Sequence, residues 1–580
     1  MNAKFTNLSL KRHSYTWLLL LFLVLVATSI FILASVPPVS RDALTHHLFV
    51  PRLYLEHGGI YEIPTIPFSY YPMNLDLLYM IPLYFGNDIF PKYIHFFFAL
   101  LTALLIYTYL KDRISIQYGL LGALFFLSIP IIVKLSITVY VDLGLMFFST
   151  ASLLLLLRWL RDKYKLRFLL SAGICCGLAA GTKYNGLVTL FVLSLFTPVL
   201  YIRSRQGARG SSGRAIGYAC LFITASLLAY SPWMIRNYNW TGNPIYPLHN
   251  TFFQQFVPDN KVAGTASHRK SEHKQSLLRK MKNLSHSGGN VFANRKILYH
   301  EIWWQTLLLP VRFFFQGQDD NPRYFDGKLN PFLFLLPFFA FLKKSDHRRD
   351  LEKYALLSFA ILFFFFTFFQ EAMRIRYIVT IVPSLVILSI MGLHNITTGV
   401  QKLFPKRGGL KTLLPGLIVL SMLTYNGQYI IEQFHTVQPL TYLSGKIGRD
   451  QYITEFRPEY PVIQYANHRL TTTTKVLCLF LGNRGYYMHF QPIFQRPGKN
   501  IFFENAFKKV TANDIRNELI HREIKYILMR DDLAINWYQH LEKDKQQAVS
   551  NFFSHFTKRL FSHGGYSFYT CLDQSQDKQP

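Results

Sequence analysis

The stretch Trp17-Leu-Leu-Leu-Leu-Phe-Leu-Val-Leu-Val-Ala-Thr-Ser-Ile-Phe-Ile-Leu-Ala34 carries no charge. Lys11-Arg12 precede it and Arg41-Asp-Ala-Leu-Thr-His-His47 follow it. About 20 apolar residues of helix cover the ~30 Å hydrocarbon core of a bilayer, so this segment is long enough to cross one once. Asp42 then stands where the chain leaves the membrane. A secretory signal is the alternative, given the basic start and Ala34-Ser35-Val36 at the end. The apolar core is longer than the ~7–15 residues of such signals, which favours a retained span.

Composition extends that reading to the whole chain. Hydrophobic residues make up 50%, aromatic residues 16% and charged residues only 16%, against roughly a quarter charged in a soluble domain. The net charge of +30, from 62 basic and 32 acidic residues, would suit a nucleic-acid binder if it formed one patch. Much of it lies instead in short loops between apolar runs, so the partners expected are membrane lipids and not nucleic acid.

The apolar runs are Trp17 to Ser35, Ile94 to Leu110, Gln117 to Val133, Leu143 to Leu157, Phe168 to Thr182, Tyr184 to Ile202 and Ile216 to Ile235, then Pro331 to Leu342, Tyr354 to Phe369, Tyr377 to Leu393 and Leu413 to Tyr425. They predict a mostly α, polytopic membrane helix bundle of about 11 transmembrane helices, within a range of roughly 9–13. With a cytoplasmic N-terminus, one side collects Lys4, Lys11 and Arg12; Lys111 and Arg113; Arg158 to Arg167; Arg203 to Arg214; Lys343 to Lys353; and Lys402 to Lys411. That arrangement obeys the positive-inside rule and puts Asp42 and the C-terminal part outside.

Residues 1–428 are expected to form the membrane domain, with external loops at about 37–86 and 236–326, and residues 429–580 a small extracytoplasmic α/β domain. In the latter, Lys475 to Leu481 reads as a buried strand stopped by Gly482-Asn483. Thr511 reads as an N-cap before a helix with Ile515 and Leu519 on one face, and Tyr526 to Met529 as a second strand. Gly482-Asn-Arg-Gly485 lacks the context of a dinucleotide fingerprint and reads as a turn. Of five cysteines, Cys175, Cys176 and Cys220 fall in spans, so only Cys478 and Cys571 could pair outside.

Ser40 can cap a helix running to His57, kinked at Pro51, whose Leu44, Leu48 and Leu55 share a face suited to the membrane interface. Asp42 in its first turn is stabilised as a carboxylate by the helix dipole, which makes it either a general base or a plain cap. Asp142 opens another span and is either a cap or a second acid. Lys183, Arg236, Arg374 and Arg376 fall at predicted external span ends, the depth of a lipid phosphate, where snorkelling alone would also explain them. His46 and His47 could join Asp42 around a divalent metal ion, although adjacent histidines on a helix point apart and at most one would bind. His268, His273 and His286 lack ligand spacing. Tyr70-Tyr71-Pro72, Trp233 and Trp303-Trp304 read as interfacial aromatics first and as stacking surfaces second.

Asp42-Ala-Leu-Thr-His-His-Leu-Phe-Val-Pro51 after a first span resembles the first external loop of the GT-C superfamily of membrane glycosyltransferases, in the branch (family 39-like) of the protein mannosyltransferases and the lipid A aminoarabinose transferase. Val141-Asp142-Leu143-Gly144 resembles that family's second acidic site, and Gly177-Leu-Ala-Ala-Gly-Thr-Lys183-Tyr184 its Gly-Leu-Ala…Thr-Lys segment. Pro232-Trp-Met-Ile-Arg236-Asn237 with Gly242-Asn-Pro244 resembles a segment of bacterial members, and Arg374-Ile-Arg376-Tyr377 before Pro383 the late Arg-Tyr…Pro signature. The first loop departs from some relatives in having one acid and not two, and the C-terminal part offers no acceptor motif.

The resemblance implies an inverting transfer of a sugar from a polyprenyl-phosphate donor to an acceptor, be it protein, lipid or polysaccharide. Asp42 would be catalytic, Asp142 the second acidic site, and Lys183, Arg236, Arg374, Arg376 and Tyr377 the donor-phosphate contacts. No cofactor is implied beyond that divalent ion. The chemistry agrees: the acceptor needs a base, and the departing phosphate needs cations. A transporter or flippase of lipid-linked sugar is the competing class. It calls for internal repeats and broken spans near the midplane, whereas here the ionisable residues gather at external ends. A catalytically dead relative acting as a binding partner is a third reading.

Overall fold

The structure is a computed structural model that describes residues 2–205, 211–256, 291–343, 346–369, 373–403, 408–494 and 511–572. His268, His273, His286 and the basic loop residues Arg209, Lys344, Lys406 and Arg407 lie outside these. The chain divides into two compact units. One comprises Met1–Ala34, Glu62–Leu78 and Phe90–Gln438, the other Ser35–Tyr61, Tyr79–Ile89 and Pro439–Pro580. Two parts of the first external loop, Ser35–Tyr61 and the stretch from Tyr79 on, thus belong with the C-terminal part of the chain, while Glu62–Leu78 belongs with the helices.

The helices include, in chain order, α1 (Asn2–Ala34), α2 (Phe49–His57), α3 (Asn74–Tyr84), α4 (Phe90–Arg113), α5 (Ile116–Ser128), α6 (Pro130–Ser136), α7 (Asp142–Arg161), α8 (Leu166–Thr182), α9 (Gly186–Ser204), α10 (Ser211–Thr241), α11 (Phe332–Phe339), α12 (His347–Phe368), α13 (Val382–Leu403) and α14 (Gly408–Val437). Seven described helices are long and apolar enough to cross a membrane, or eight if the bent α5–α6 pair is one span. α8, at 17 residues, is a shorter apolar helix, and α11 has only eight residues, about 12 Å of rise and too short to span. The run Gln117 to Val133, expected to be one span, is broken by 65°. Pro130 causes the break: it pushes Ile129 out of the helical region to φ −57°, ψ 131° and restarts the chain as the first residue of α6.

Small residues set the packing of the spans. A Cβ on Gly177 would sit 2.2 Å from the Ser226 carbonyl oxygen, and one on Gly173 would sit 2.8 Å from that of Phe222. α8 and α10 therefore meet backbone to backbone along a small-xxx-small stripe. Gly144 admits the Leu75 side chain of α3 against α7 in the same way.

In the other unit, β1 (Lys475–Leu479), β2 (Gln491–Phe494), β3 (Tyr526–Arg530), β4 (Thr557–His563) and β5 (Tyr566–Cys571) form one sheet in the order β2-β1-β3-β5-β4. β1 runs parallel to β2 and β3, while β5 is antiparallel to β3 and β4. Apolar clusters cover both faces: Leu477, Ile527 and Ile515 with Phe552 on one, and Val476, Leu528 and Phe568 with Val462 on the other. Thr511 caps its helix as its side chain predicts, accepting the Asp514 amide at 3.2 Å. Cys478 and Cys571 remain free thiols, contrary to the pairing their position allowed. They occupy β1 and β5, which β3 separates.

Candidate active site

The first site is built around the start of α7. No side chain of the Val141 cap satisfies its first amides. His95, fully buried on α4, does so across the helix pair. Its Nε2 accepts the Leu143 amide at 3.0 Å, and its Nδ1 lies 2.9 Å and 3.0 Å from the Leu135 and Thr138 carbonyls. Carbonyls only accept and the amide only donates, so the network assigns a neutral imidazole with its proton on Nδ1. Nothing in the sequence reading singled out His95. The signal was there: one histidine in an otherwise apolar span.

Asp142, 1% exposed, opens α7 beside this imidazole. Lys183 Nζ donates to its Oδ1 at 2.6 Å, and Arg376 lies within electrostatic reach. Lys183 can reach because α8 stops at Thr182 and Lys183 itself turns extended, at φ −160° and ψ 145°. Its ammonium also sits 5.5 Å from the Tyr377 ring, while the Arg376 guanidinium lies 5.2 Å from both Tyr140 and Tyr377. Four expected site residues, Asp142, Lys183, Arg376 and Tyr377, therefore converge from α7, the α8–α9 joint and the 3-10 turn Ile375–Ile381. One buried carboxylate faces two cations over an aromatic floor.

The other two cations are engaged elsewhere in this unit. Arg374 Nε lies 3.6 Å from Asp326, which together with Asp319 and Asp320 surrounds Lys134 at 3.2–3.6 Å. Tyr429 donates to Asp319 at 2.5 Å. Arg236 donates to the Tyr71 carbonyl at 3.0 Å and to Asn237 Oδ1 at 2.9 Å, flanked by Trp233 and Trp240. Asn237 in turn donates to the Tyr70 carbonyl, and Trp233 Nε1 donates to Asn74. The Pro232 to Asn237 segment thus fastens the Tyr70-Tyr71 turn, a scaffolding part for which Trp233 is a hydrogen-bond donor and not only an interfacial ring.

Asp42 belongs to the other unit. The single kinked helix expected from Ser40 to His57 is instead a π-type turn, Ala43–His47, followed by α2 starting afresh at Phe49. Pro51 then falls in the first turn of α2, where its missing N–H has no partner to lose. Asp42, half-buried, precedes the π turn and makes no side-chain cap bond to it. The Leu44 and Leu48 face expected at the membrane interface is buried in protein at 2% and 0% exposure.

Its cover is the turn after β1. The Tyr486 amide donates to the Leu44 carbonyl at 3.1 Å, and the Tyr487 hydroxyl donates to the Pro38 carbonyl at 2.8 Å. Arg52 donates to the carbonyls of Tyr486 and, at 2.7 Å, Met488. Burial, with the nearby Asp88 charge adding, pushes the Tyr487 phenol well above its ordinary range, so it stays a proton donor. The His46 and His47 rings lie with centroids 4.0 Å apart, tilted by 44°. Among the described residues no group of three or more His, Cys, Asp or Glu side chains is placed to hold a metal ion.

A family profile for dolichyl-phosphate-mannose-protein mannosyltransferase matches residues 61–240, a window holding Asp142, Lys183 and Arg236 but neither Asp42 nor Arg374 to Tyr377. No curated protein matches the chain in sequence. Among solved structures, ArnT from Cupriavidus metallidurans, bound to undecaprenyl phosphate, superposes with a TM-score of 0.56 at 12% identity, over 97% of this chain and 100% of that one. The Archaeoglobus fulgidus oligosaccharyltransferase in its apo form gives 0.53 at 15% identity, over 94% of this chain and 74% of that one. A complex of the same organism's AglB with an inhibitory peptide and a dolichol-phosphate gives 0.51 at 15%, over 97% and 75%. The chain has the fold of the GT-C glycosyltransferases. In this GT-C fold the Gly177 to Lys183 segment does two jobs. Its glycines bring α8 onto α10, and its end releases Lys183 toward Asp142.

Proposed function

We propose that the protein is an inverting membrane glycosyltransferase that moves a sugar from a polyprenyl-phosphate donor to an acceptor on the extracytoplasmic side, through a bundle of about 11 spans. The observation that carries this reading is the cluster at the start of α7, where Lys183 and Arg376 meet the buried Asp142. Cations gathered in a poorly solvated setting can hold an anion, and a lipid phosphate is the anion that a membrane bundle meets at this depth. Solved structures of similar fold in complex with undecaprenyl phosphate and with dolichol-phosphate support the same donor class.

In this reading the acceptor oxygen or nitrogen attacks the anomeric carbon while Asp42 takes its proton. The bond from that carbon to the phosphate oxygen breaks, and its electron pair leaves with the polyprenyl phosphate. One displacement inverts the anomeric centre. Lys183 and Arg376 meet the charge that grows on the phosphate, Tyr377 floors them, and Asp142 keeps Lys183 in place.

The test is Asp42→Asn in membranes supplied with labelled polyprenyl-phosphate sugar. Loss of a general base predicts a ~10²- to 10⁴-fold fall in kcat with donor binding retained. Lys183→Met should weaken donor binding. Transfer at the normal rate by Asp42→Asn would refute the base assignment, and lipid-linked sugar moved across the membrane without product would support the transporter class.

A further inference from the structure

A second charged site lies at the far end of the bundle. His95 of α4 meets the start of α7, so Arg113, 18 residues along the same helix, lies about 27 Å away at 1.5 Å per residue. There a recess of about 210 Å³ opens between α4, the chain just after α11, the first turns of α12, and α13. Its wall carries four cations, Arg113, Lys343, Arg349 and Lys353.

Two of these cations are committed. Lys353 donates to Asp350 at 2.7 Å and to the Ala340 carbonyl at 3.2 Å, and Arg113 spends Nε and Nη2 on Glu352 at 2.6 and 2.7 Å. That fork uses two of the five N–H donors of the guanidinium. At the rim, Arg349 and Asp346 approach to 3.3 Å, but both are 63% exposed, and so open a pair holds little. Lys343 adds an exposed ammonium, and α12 starts beside it without a side-chain cap from Asp346. Next in sequence to the lining residue Lys343, Leu342 is 75% exposed, and two residues past the lining residue Ile114, Ile116 is 46% exposed. A cationic recess that opens between exposed apolar side chains meets lipid headgroups.

We propose that this recess binds a phosphate group, borne by an anionic glycerophospholipid, independently of the site around Asp142. The test uses the full-length protein in phosphatidylcholine nanodiscs doped with phosphatidylglycerol, with bound lipid counted by native mass spectrometry. One phosphatidylglycerol should be retained over phosphatidylcholine, and the Lys343→Gln/Arg349→Gln variant should lose at least ~10-fold of that preference at an unchanged melting temperature. Both side chains are exposed at the rim, so the variant keeps its core. Displacement of the lipid by millimolar inorganic phosphate would assign the site to a free phosphate, and resistance to displacement to the lipid. Equal retention of both lipids, or a variant indistinguishable from the parent, would overturn the proposal.

Discussion

The backbone amide of Tyr486 donates to the carbonyl of Leu44 at 3.1 Å, which ties the turn after β1 to the segment two residues past Asp42. Tyr487 grips the chain at Pro38, on the other side of that acid, and Gly485 lies against Phe49 so closely that a Cβ would stand 2.5 Å from the ring. The Gly482 to Gly485 turn, whose sequence says only that the chain reverses, is the clamp on the first loop. Tyr487→Phe removes one hydrogen bond and should cost about 0.5–1.5 kcal/mol in stability. If the clamp positions Asp42, kcat should drop several-fold while KM for the donor holds. A variant with unchanged kcat and a lowered melting temperature would reduce the bond to a structural role.

The Asp142–Lys183 pair at 2.6 Å is buried on the carboxylate side, at 2% side-chain exposure. Lys183→Met leaves that charge with less compensation, and breaking such a pair costs about 3–5 kcal/mol. The double variant Asp142→Asn/Lys183→Met should recover part of this, because it removes both charges together. Unfolding in detergent reads the cycle directly. Additive losses would mean that the two side chains do not depend on each other.

Gly177→Ala tests the packing of α8 on α10. Its new methyl would meet the Ser226 carbonyl oxygen at 2.2 Å, a backbone atom that cannot rotate away. Forcing the helices apart should cost about 1–3 kcal/mol and lower thermal stability. A second effect should show in donor binding, since the end of α8 sets the reach of Lys183. The same change at Gly213, where a Cβ meets nothing within 4 Å, is the control and should be silent.

The apolar runs, the α7 start at Asp142 and the Thr511 cap are legible because each is written in neighbouring residues. The break at Pro130 was equally local, but the length of the apolar run on both sides outweighed it. The hairpin of β4 and β5 passed unread although Gly564 and Gly565, at φ +56° and +79°, mark its turn. What local pattern could not yield is pairing across distance. His95 with Leu143, Arg374 with Asp326 and Tyr486 with Leu44 all depend on which ends the fold brings together. Arg236 and Arg374 looked alike in sequence to Arg376, and only their neighbours tell them apart.

Glu301 gives the chain a pH-sensitive anchor. Its side chain is 1% exposed and accepts from Arg295 at 2.7 and 2.8 Å and from Arg312 at 3.0 Å. Burial alone would raise its carboxyl pKa, but the hydrogen bonds and charges of the two guanidinium groups outweigh it, and the value in the folded protein lies below the ordinary 4.5. A folded pKa below the unfolded one means that the stabilisation is complete above about 4.5 and fades as pH falls through the lower, folded value. Melting temperature should therefore decline below about pH 5 in the parent protein. Glu301→Gln should be less stable at pH 7 by about 3–5 kcal/mol, since it leaves two buried guanidinium groups without a counter-charge. It should also lose that share of the acid dependence, so the two curves converge as pH falls; curves that stay parallel from pH 7 to pH 3 would remove Glu301 from the account.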